Sequence, residues 1–181
     1  MSDPVELEQD APFEINESVE VGDLSDVQAQ ILPVAQNVKG TIKKASLATN
    51  KDRSLKYIKL ELQLTDGIPI PNEDGEIEYR FRGKTVFPGM METCIWADPA
   101  VKTTDYFKKK QHLLAFKEFV KAMGIEGKIT VNDVFLGMLI GQHILFCIKH
   151  EPNRVLSENG ERVADGTFRE RIYGWKAAPE E

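Results

Sequence analysis

Basic residues interleaved with aromatic ones are the feature of this 181-residue chain with the clearest chemical meaning. Lys43-Lys44 lie in one stretch and Lys56-Tyr57-Ile58-Lys59 in the next. Tyr79-Arg80-Phe81-Arg82-Gly83-Lys84 and Phe168-Arg169-Glu170-Arg171-Ile172-Tyr173-Gly174-Trp175-Lys176 repeat the pattern. Single-stranded nucleic acid is held by cations that track its phosphates and by aromatic faces on which bases stack, at about 1–3 kcal/mol per base. The residues proposed for the phosphates are Lys43, Lys44, Lys56, Lys59, Arg80, Arg82, Lys84, Arg169 and Arg171. Tyr57, Trp96 and Tyr173 are the stacking candidates. The competing reading is structural: alternating charges are the solvated face of a strand, and Phe81, Phe87 and Trp175 belong to the core. Tyr57 escapes it best, because it shares a face with Lys59 and Glu61, opposite the row from Ile58 to Leu64. The run Lys108-Lys109-Lys110 lies on an expected helix and reads as its solvated first turn, where it opposes the helix dipole.

Catalytic patterns are not legible. The chain has no Gly-rich phosphate loop, no G-x-S-x-G elbow and no H-E-x-x-H. His143, Cys147 and His150 form H-x3-C-x2-H, but on a strand with a rise of about 3.3 Å per residue the first two stand about 13 Å apart, too far to share one ion. His112 falls among helical residues. Asp98, Asp105 and Asp133 read as a loop residue and two helix caps. The expectation is a protein without catalytic residues, metal or other cofactor. The two cysteines, Cys94 and Cys147, sit in apolar runs and read as buried thiols in a reducing compartment.

The net charge of -6 conceals an asymmetry. Residues 1–30 carry nine acidic side chains (Asp3, Glu6, Glu8, Asp10, Glu14, Glu17, Glu20, Asp23 and Asp26) and no Lys or Arg. Residues 31–181 hold all 23 Lys and Arg against 20 Asp and Glu, a net of +3. A one-signed, aromatic-poor segment buries too little apolar surface to offset its ordering entropy, so residues 1–30 are expected to be a disordered acidic tail. Residues 31–177 form the expected domain, and 178–181 a short C-terminal tail. No apolar run approaches the ~20 residues of a membrane span, and no signal peptide opens the chain. A soluble, cytoplasmic protein is expected.

The elements that must carry these residues follow from periodicity. Residues 34–48 and 55–65 read as strands joined by a turn at Asn50-Lys51-Asp52-Arg53. Residues 76–87 read as a third alternating strand, with Gly83 as a bulge or bend, and 93–96 as a short apolar piece. Leu113, Phe116, Val120 and Met123 predict a helix over 104–123, capped by Thr104-Asp105 and ended by Gly124. Asn132-Asp133 predicts a second helix through Leu139. Residues 141–149 read as a central strand, 152–166 as a polar loop and 168–176 as the last strand. Three strands, a helix, then two strands is the order of a mainly β, five-stranded OB-type Greek-key barrel with its helix between strands three and four.

With these elements placed, the chain resembles the OB-fold single-stranded DNA-binding proteins of bacteriophages. The resemblance rests on K-G-T-I-K-K-A, L-K-Y-I-K-L-E-L, L-L-A-F-K-E-F-V-K-A-M-G-I, N-D-V-F-L-G, G-Q-H-I-L-F-C-I-K-H-E and I-Y-G-W-K. It implies a cofactor-free protein that coats single-stranded DNA in replication and recombination, meets replication or recombination proteins, forms a possible homo-oligomer and resides in the host cytoplasm. Many such proteins carry an acidic tail at the C-terminus, whereas here the acid is at the N-terminus. The alternative is a protein-interaction or virion-assembly module whose acidic arm binds a basic partner.

Overall fold

The computed structural model describes residues 31–100, 107, 109–157 and 159–179. The expectations for the tail at 1–30 and for a cap at Thr104-Asp105 lie outside the described residues. Among the described residues, eight strands form in chain order: β1 (Ala35–Thr49), β2 (Leu55–Leu64), β3 (Ile68–Pro71), β4 (Ile77–Arg80), β5 (Thr85–Val86), β6 (Cys94–Ala97), β7 (His143–Leu156) and β8 (Arg162–Ala177). A 3₁₀ turn (Met90–Thr93) precedes β6, and helices α1 (His112–Ala122) and α2 (Asp133–Leu139) precede β7.

The main sheet is antiparallel, with order β5-β2-β1-β7-β8 and β6 also paired to β2. It curls into a half-barrel. Among the described residues β8 pairs with β7 and with no strand at the opposite edge, so the barrel is not closed by strand pairing.

β1 organises the sheet. Its far half pairs with β2 from Gly40↔Leu64 to Thr49↔Lys56, and its near half pairs with β7 from Ala35↔Ile148 to Thr41↔His143. Two neighbours fix which face of β1 is apolar, and Val38 and Ile42 are buried while Val34 is exposed. The alternation read in β2 holds, with Ile58, Leu60, Leu62 and Leu64 all buried. The turn before it is locked by side chains: Asn50 Oδ1 accepts from Leu55 N at 2.8 Å, and Asp52 Oδ1 accepts from Ser54 Oγ at 2.8 Å.

The third strand is corrected. Residues 76–87 do not run as one strand: β4 turns back on β3 in a separate two-stranded ribbon, and only β5 reaches β2. The chain breaks where Phe81 takes φ 65° and Gly83 takes φ 80°. Both angles lie in the left-handed region, which ends a strand. Ile77, Tyr79 and Phe87, which the alternation puts on one packed face, are exposed.

The helix expected over 104–123 is interrupted among its described residues. Lys110 has φ 57°, and its N–H closes a turn onto Phe107 O at 3.0 Å, so α1 starts at His112. Its buried side chains include Phe119 and Val120, and Gly124 follows its end with φ 69°. α2 matches its expected span, with Asn132 Oδ1 accepting from Phe135 N at 3.0 Å as its N-cap.

The polar loop expected over 152–166 is instead ribbon. β7 continues to Leu156 and β8 begins at Arg162, with Pro152↔Phe168 and Val155↔Val163 as partners. This outer part lies beyond the last β1 partner, Ile148, so both its faces meet solvent and no apolar alternation marks it.

The core lies between the sheet and α1. Trp175 is the hinge of that packing, with edge-on contacts to Phe119 (5.4 Å between centroids) and Phe146 (6.2 Å). Its Nε1 donates to Glu92 O at 3.3 Å. The N-terminal end of the unit is pinned by buried Leu32, whose N–H donates to Glu170 Oε1 and whose carbonyl accepts from His150 Nε2 at 2.7 Å. Cys94 and Cys147 are both buried and free.

Candidate nucleic-acid interface

The solvent side of β1 and β2 gathers one group of the residues singled out above. A bulge between Ile42 and Lys44 sets two β1 residues against one position of β2. It lets Lys43 and Lys44 both stay in solvent on consecutive positions. Cross-strand partners then place Ser46 beside Lys59 and Ala48 beside Tyr57. Lys59 is exposed and Tyr57 is half-buried, so the phenol presents one side to water. Lys44 is held at 3.0 Å by Glu61, an exposed pair of small energetic weight.

At the end of β2, the register Lys56↔Trp96 joins a second group. Lys56 Nζ stands 5.2 Å from the centre of the Trp96 ring, which is 39 % exposed. Beside that ring, between β6 and the start of α1, a pocket of about 520 Å³ is lined by Trp96, Asp98, Phe107, Lys110 and Leu113. A second cation–aromatic pair forms on β7 and β8, where Lys149 Nζ lies 4.9 Å from the Tyr173 ring. Such pairs contribute about 0.5–1 kcal/mol at exposed sites, so a lysine leaves its ring readily for a phosphate. Lys149 is a residue that sequence reasoning misses, because its role shows only once β8 brings Tyr173 alongside.

The remaining candidates lie elsewhere. Arg80 is on the β3–β4 ribbon, where Nε and Nη2 both reach Glu78 Oε2 at 3.0 and 2.8 Å. That contact holds the Glu78 carboxyl below the ordinary glutamate range. Arg82 is exposed in the turn after it, and Lys84 lies 5.5 Å from the Phe81 ring and 3.9 Å from Glu170. Arg169 is exposed, 3.7 Å from Glu151.

Arg171 is engaged inside the fold. Its Nε and Nη2 donate to Glu92 Oε1 at 2.9 and 2.7 Å, and its Nη1 donates to Glu151 Oε1 at 2.6 Å. Glu92 is buried, so this guanidinium balances an interior carboxylate and is not offered to a phosphate.

The histidines and cysteine of the H-x3-C-x2-H spacing are used separately. His143 Nδ1 lies 3.0 Å from Thr41 Oγ1, His150 bonds Leu32, and Cys147 is buried opposite Tyr173. Among the described residues no three His, Cys, Asp or Glu side chains are placed to hold a metal ion. Among them, too, no helix is long and apolar enough to cross a membrane. Compared with known protein families and with curated protein sequences, the chain matches none.

Proposed function

We propose that this chain is a non-catalytic, sequence-tolerant single-stranded DNA-binding protein serving DNA replication or recombination, of the kind found in bacteriophages. The observation that carries this reading is the solvent side of β1 and β2. There Lys59 stands two residues from Tyr57, Lys43 and Lys44 lie further along β1 opposite Glu61, and the strand end adds Lys56 over Trp96. Cations at about two-residue intervals beside half-exposed rings suit a chain of phosphates with unstacked bases. A long β1 shared between β2 and β7 supports an OB-type arrangement, in which the same strand serves both halves of the barrel.

The test is a labelled oligonucleotide titrated at two salt concentrations. Each neutralised phosphate on a single strand adds about -0.7 to the slope of log affinity against log salt. The double variant Lys43→Glu/Lys59→Glu is therefore expected to flatten that slope by about 1.4. Absence of binding at low salt, with or without residues 1–30, overturns the reading.

Tryptophan emission supplies an independent check. Trp96 is 39 % exposed and Trp175 only 5 %. Oligonucleotide binding is expected to quench the wild type, and Trp96→Phe to lose most of that quenching. Persistence of the full signal would place the contact away from β6.

The second reading, an interaction module, draws on the nine carboxylates of residues 1–30. Deleting those residues separates the two: a DNA binder keeps or gains affinity, whereas an arm-dependent adaptor loses its partner.

A further inference from the structure

The two edges of the β3–β4 ribbon are built differently. Asn72 N–H donates to Glu76 O at 2.8 Å, at the turn that joins the strands. Bonded rungs of an antiparallel pair recur at every second residue, so Ile70↔Glu78 and Ile68↔Arg80 carry the bonds of the ribbon. The rungs between them, Pro71↔Ile77 and Pro69↔Tyr79, turn their main-chain groups outward. On the β3 edge those groups belong to prolines, which have no N–H to offer another strand. On the β4 edge Ile77 and Tyr79 keep both donor and acceptor, and among the described residues no strand pairs with that edge. One edge is blunted and the other is left open.

The charges along β4 identify what can cover the open edge. The order is Glu76-Ile77-Glu78-Tyr79-Arg80-Phe81-Arg82, with acids before the tyrosine and bases after it. Read backwards, each charge meets its opposite. An antiparallel copy centred on Tyr79 sets Glu78 against the partner's Arg80, and Arg80 against the partner's Glu78. That centre also brings the outward N–H and C=O of Tyr79 against those of the partner's Tyr79. Moving the centre to Glu78 or to Arg80 opposes like charges directly, which is destabilising. The exposed apolar side chains agree. Pro69, Pro71, Ile77 and Tyr79 share one face of the ribbon, and all four are exposed. A two-stranded ribbon with such a face bare is marginal in water.

We infer that a second copy of this chain adds to this edge, β4 against β4 across a two-fold axis, to make a sheet of order β3-β4-β4-β3. The same patch serves both copies, which is what a two-fold interface requires. Within one chain Arg80 Nε and Nη2 already donate to Glu78 Oε2 at 3.0 and 2.8 Å. The second copy therefore closes a square of four charges, each beside two of the opposite sign, and exposed ion pairs gain weight when they form such a network. The apolar faces of the two ribbons become continuous. Arg80 is thereby assigned to a subunit contact. β4 ends at Arg80, where Phe81 takes φ 65°, so the regular overlap spans residues 78–80 and the contact is weak.

Sedimentation velocity of the full-length chain, without nucleic acid and over a concentration series, tests this. The overlap buries far less than the ~1,600 Å² of a standard interface, so a dissociation constant on the order of 10–100 μM is expected. Glu78→Arg and Arg80→Glu each oppose like charges on both flanking rungs, and each is expected to raise that constant about tenfold. An equimolar mixture of the two variants is expected to pair as tightly as the wild type, because each supplies the sign the other lacks. A merely structural role for either residue gives no such rescue. Tyr79→Pro removes the outward N–H without removing a bond of the ribbon and is expected to be monomeric. All three positions are exposed, and circular dichroism checks the fold. A wild type that stays monomeric throughout overturns the inference. So does a dimer that survives both charge variants unchanged, a mixture no tighter than its components, or a dimer kept by Tyr79→Pro. Self-association is independent of the DNA-binding reading, so either can fail without the other.

Discussion

Arg171→Met is expected to lower the stability of the protein by about 3 kcal/mol, a fall of about 6–12 °C in melting temperature. The side chain is similar in length, so packing is largely kept and charge is what changes. Glu92 is 5 % exposed, and the hydrogen bonds of its carboxylate in the fold come from Arg171. Without them the carboxylate stays buried with no cation, which costs several kcal/mol when one partner of an interior pair is removed. Arg171 keeps 38 % of its side chain in solvent, which places the loss at the lower end of that range. Denaturant unfolding measures it. The double variant Arg171→Met/Glu92→Gln is expected to recover part of the loss, since a neutral amide is cheaper to bury than an ion. A loss no smaller in the double variant would show that Arg171 acts through something other than Glu92.

The same cluster sets an acid limit. The Glu151 carboxyl is held below its ordinary value in the folded state, against the push of burial, by Arg171 and Lys149. A depressed folded value means that the contribution is fully present above the ordinary glutamate range. It is lost as pH falls through the folded value. The stability gap between wild type and Arg171→Met should therefore narrow in acid, below the ordinary glutamate value, and be constant near neutrality.

Gly40→Val is expected to cost at least 3 kcal/mol, comparable with the largest core substitutions. At Gly40, as at Thr41, β1 is paired on both sides, here with Leu64 and with Ile144. A Cβ at this position would meet Phe146 Cε1 at 2.7 Å. Phe146 is fully buried and packed on Trp175, so its ring has nowhere to move. Gly40→Ala meets the same first contact and is expected to lose about 1–2 kcal/mol less, because it lacks the two methyl groups. Chemical denaturation of both variants distinguishes this from a backbone effect, since the glycine does not need a left-handed angle here.

How much of this is legible in the amino acids depends on how many neighbours an element has. β2 reads clearly because β1 covers one edge and the core covers one face, so apolar residues fall at every second position from Ile58 to Leu64. α2 reads clearly because its Asn132 cap is local. Residues 76–87 alternate just as well, yet Ile77 and Tyr79 are exposed on a two-stranded ribbon. Alternation reports strand conformation, not which sheet is joined, and the break lies in the backbone angles of Phe81 and Gly83. The outer β7–β8 ribbon is hidden for the opposite reason: largely exposed to solvent, it buries no apolar face whose alternation would mark it as strand. Among the candidate site residues, the β1–β2 register sets Lys44 opposite Glu61, two residues from Lys59 and four from Tyr57, while Lys43 falls in a bulge that no alternation announces. Arg171 is misread because its partner Glu92 lies 79 residues away, on a 3₁₀ turn with no periodic signature.

The double pairing of β1 has a consequence for how the chain is made. Thr41 meets Gln63 early in synthesis, but its other neighbour, His143, emerges about a hundred residues later. The half of β1 around Val38 stays unpaired on that side until β7 has left the ribosome. A hairpin with one apolar face bare is marginal in water. Cooperative folding therefore waits for the C-terminal strands, and contacts this distant in sequence make it slow. Nascent chains halted before β7 are expected to remain protease-sensitive throughout, with order confined to local pieces such as the β1–β2 hairpin and the β3–β4 ribbon.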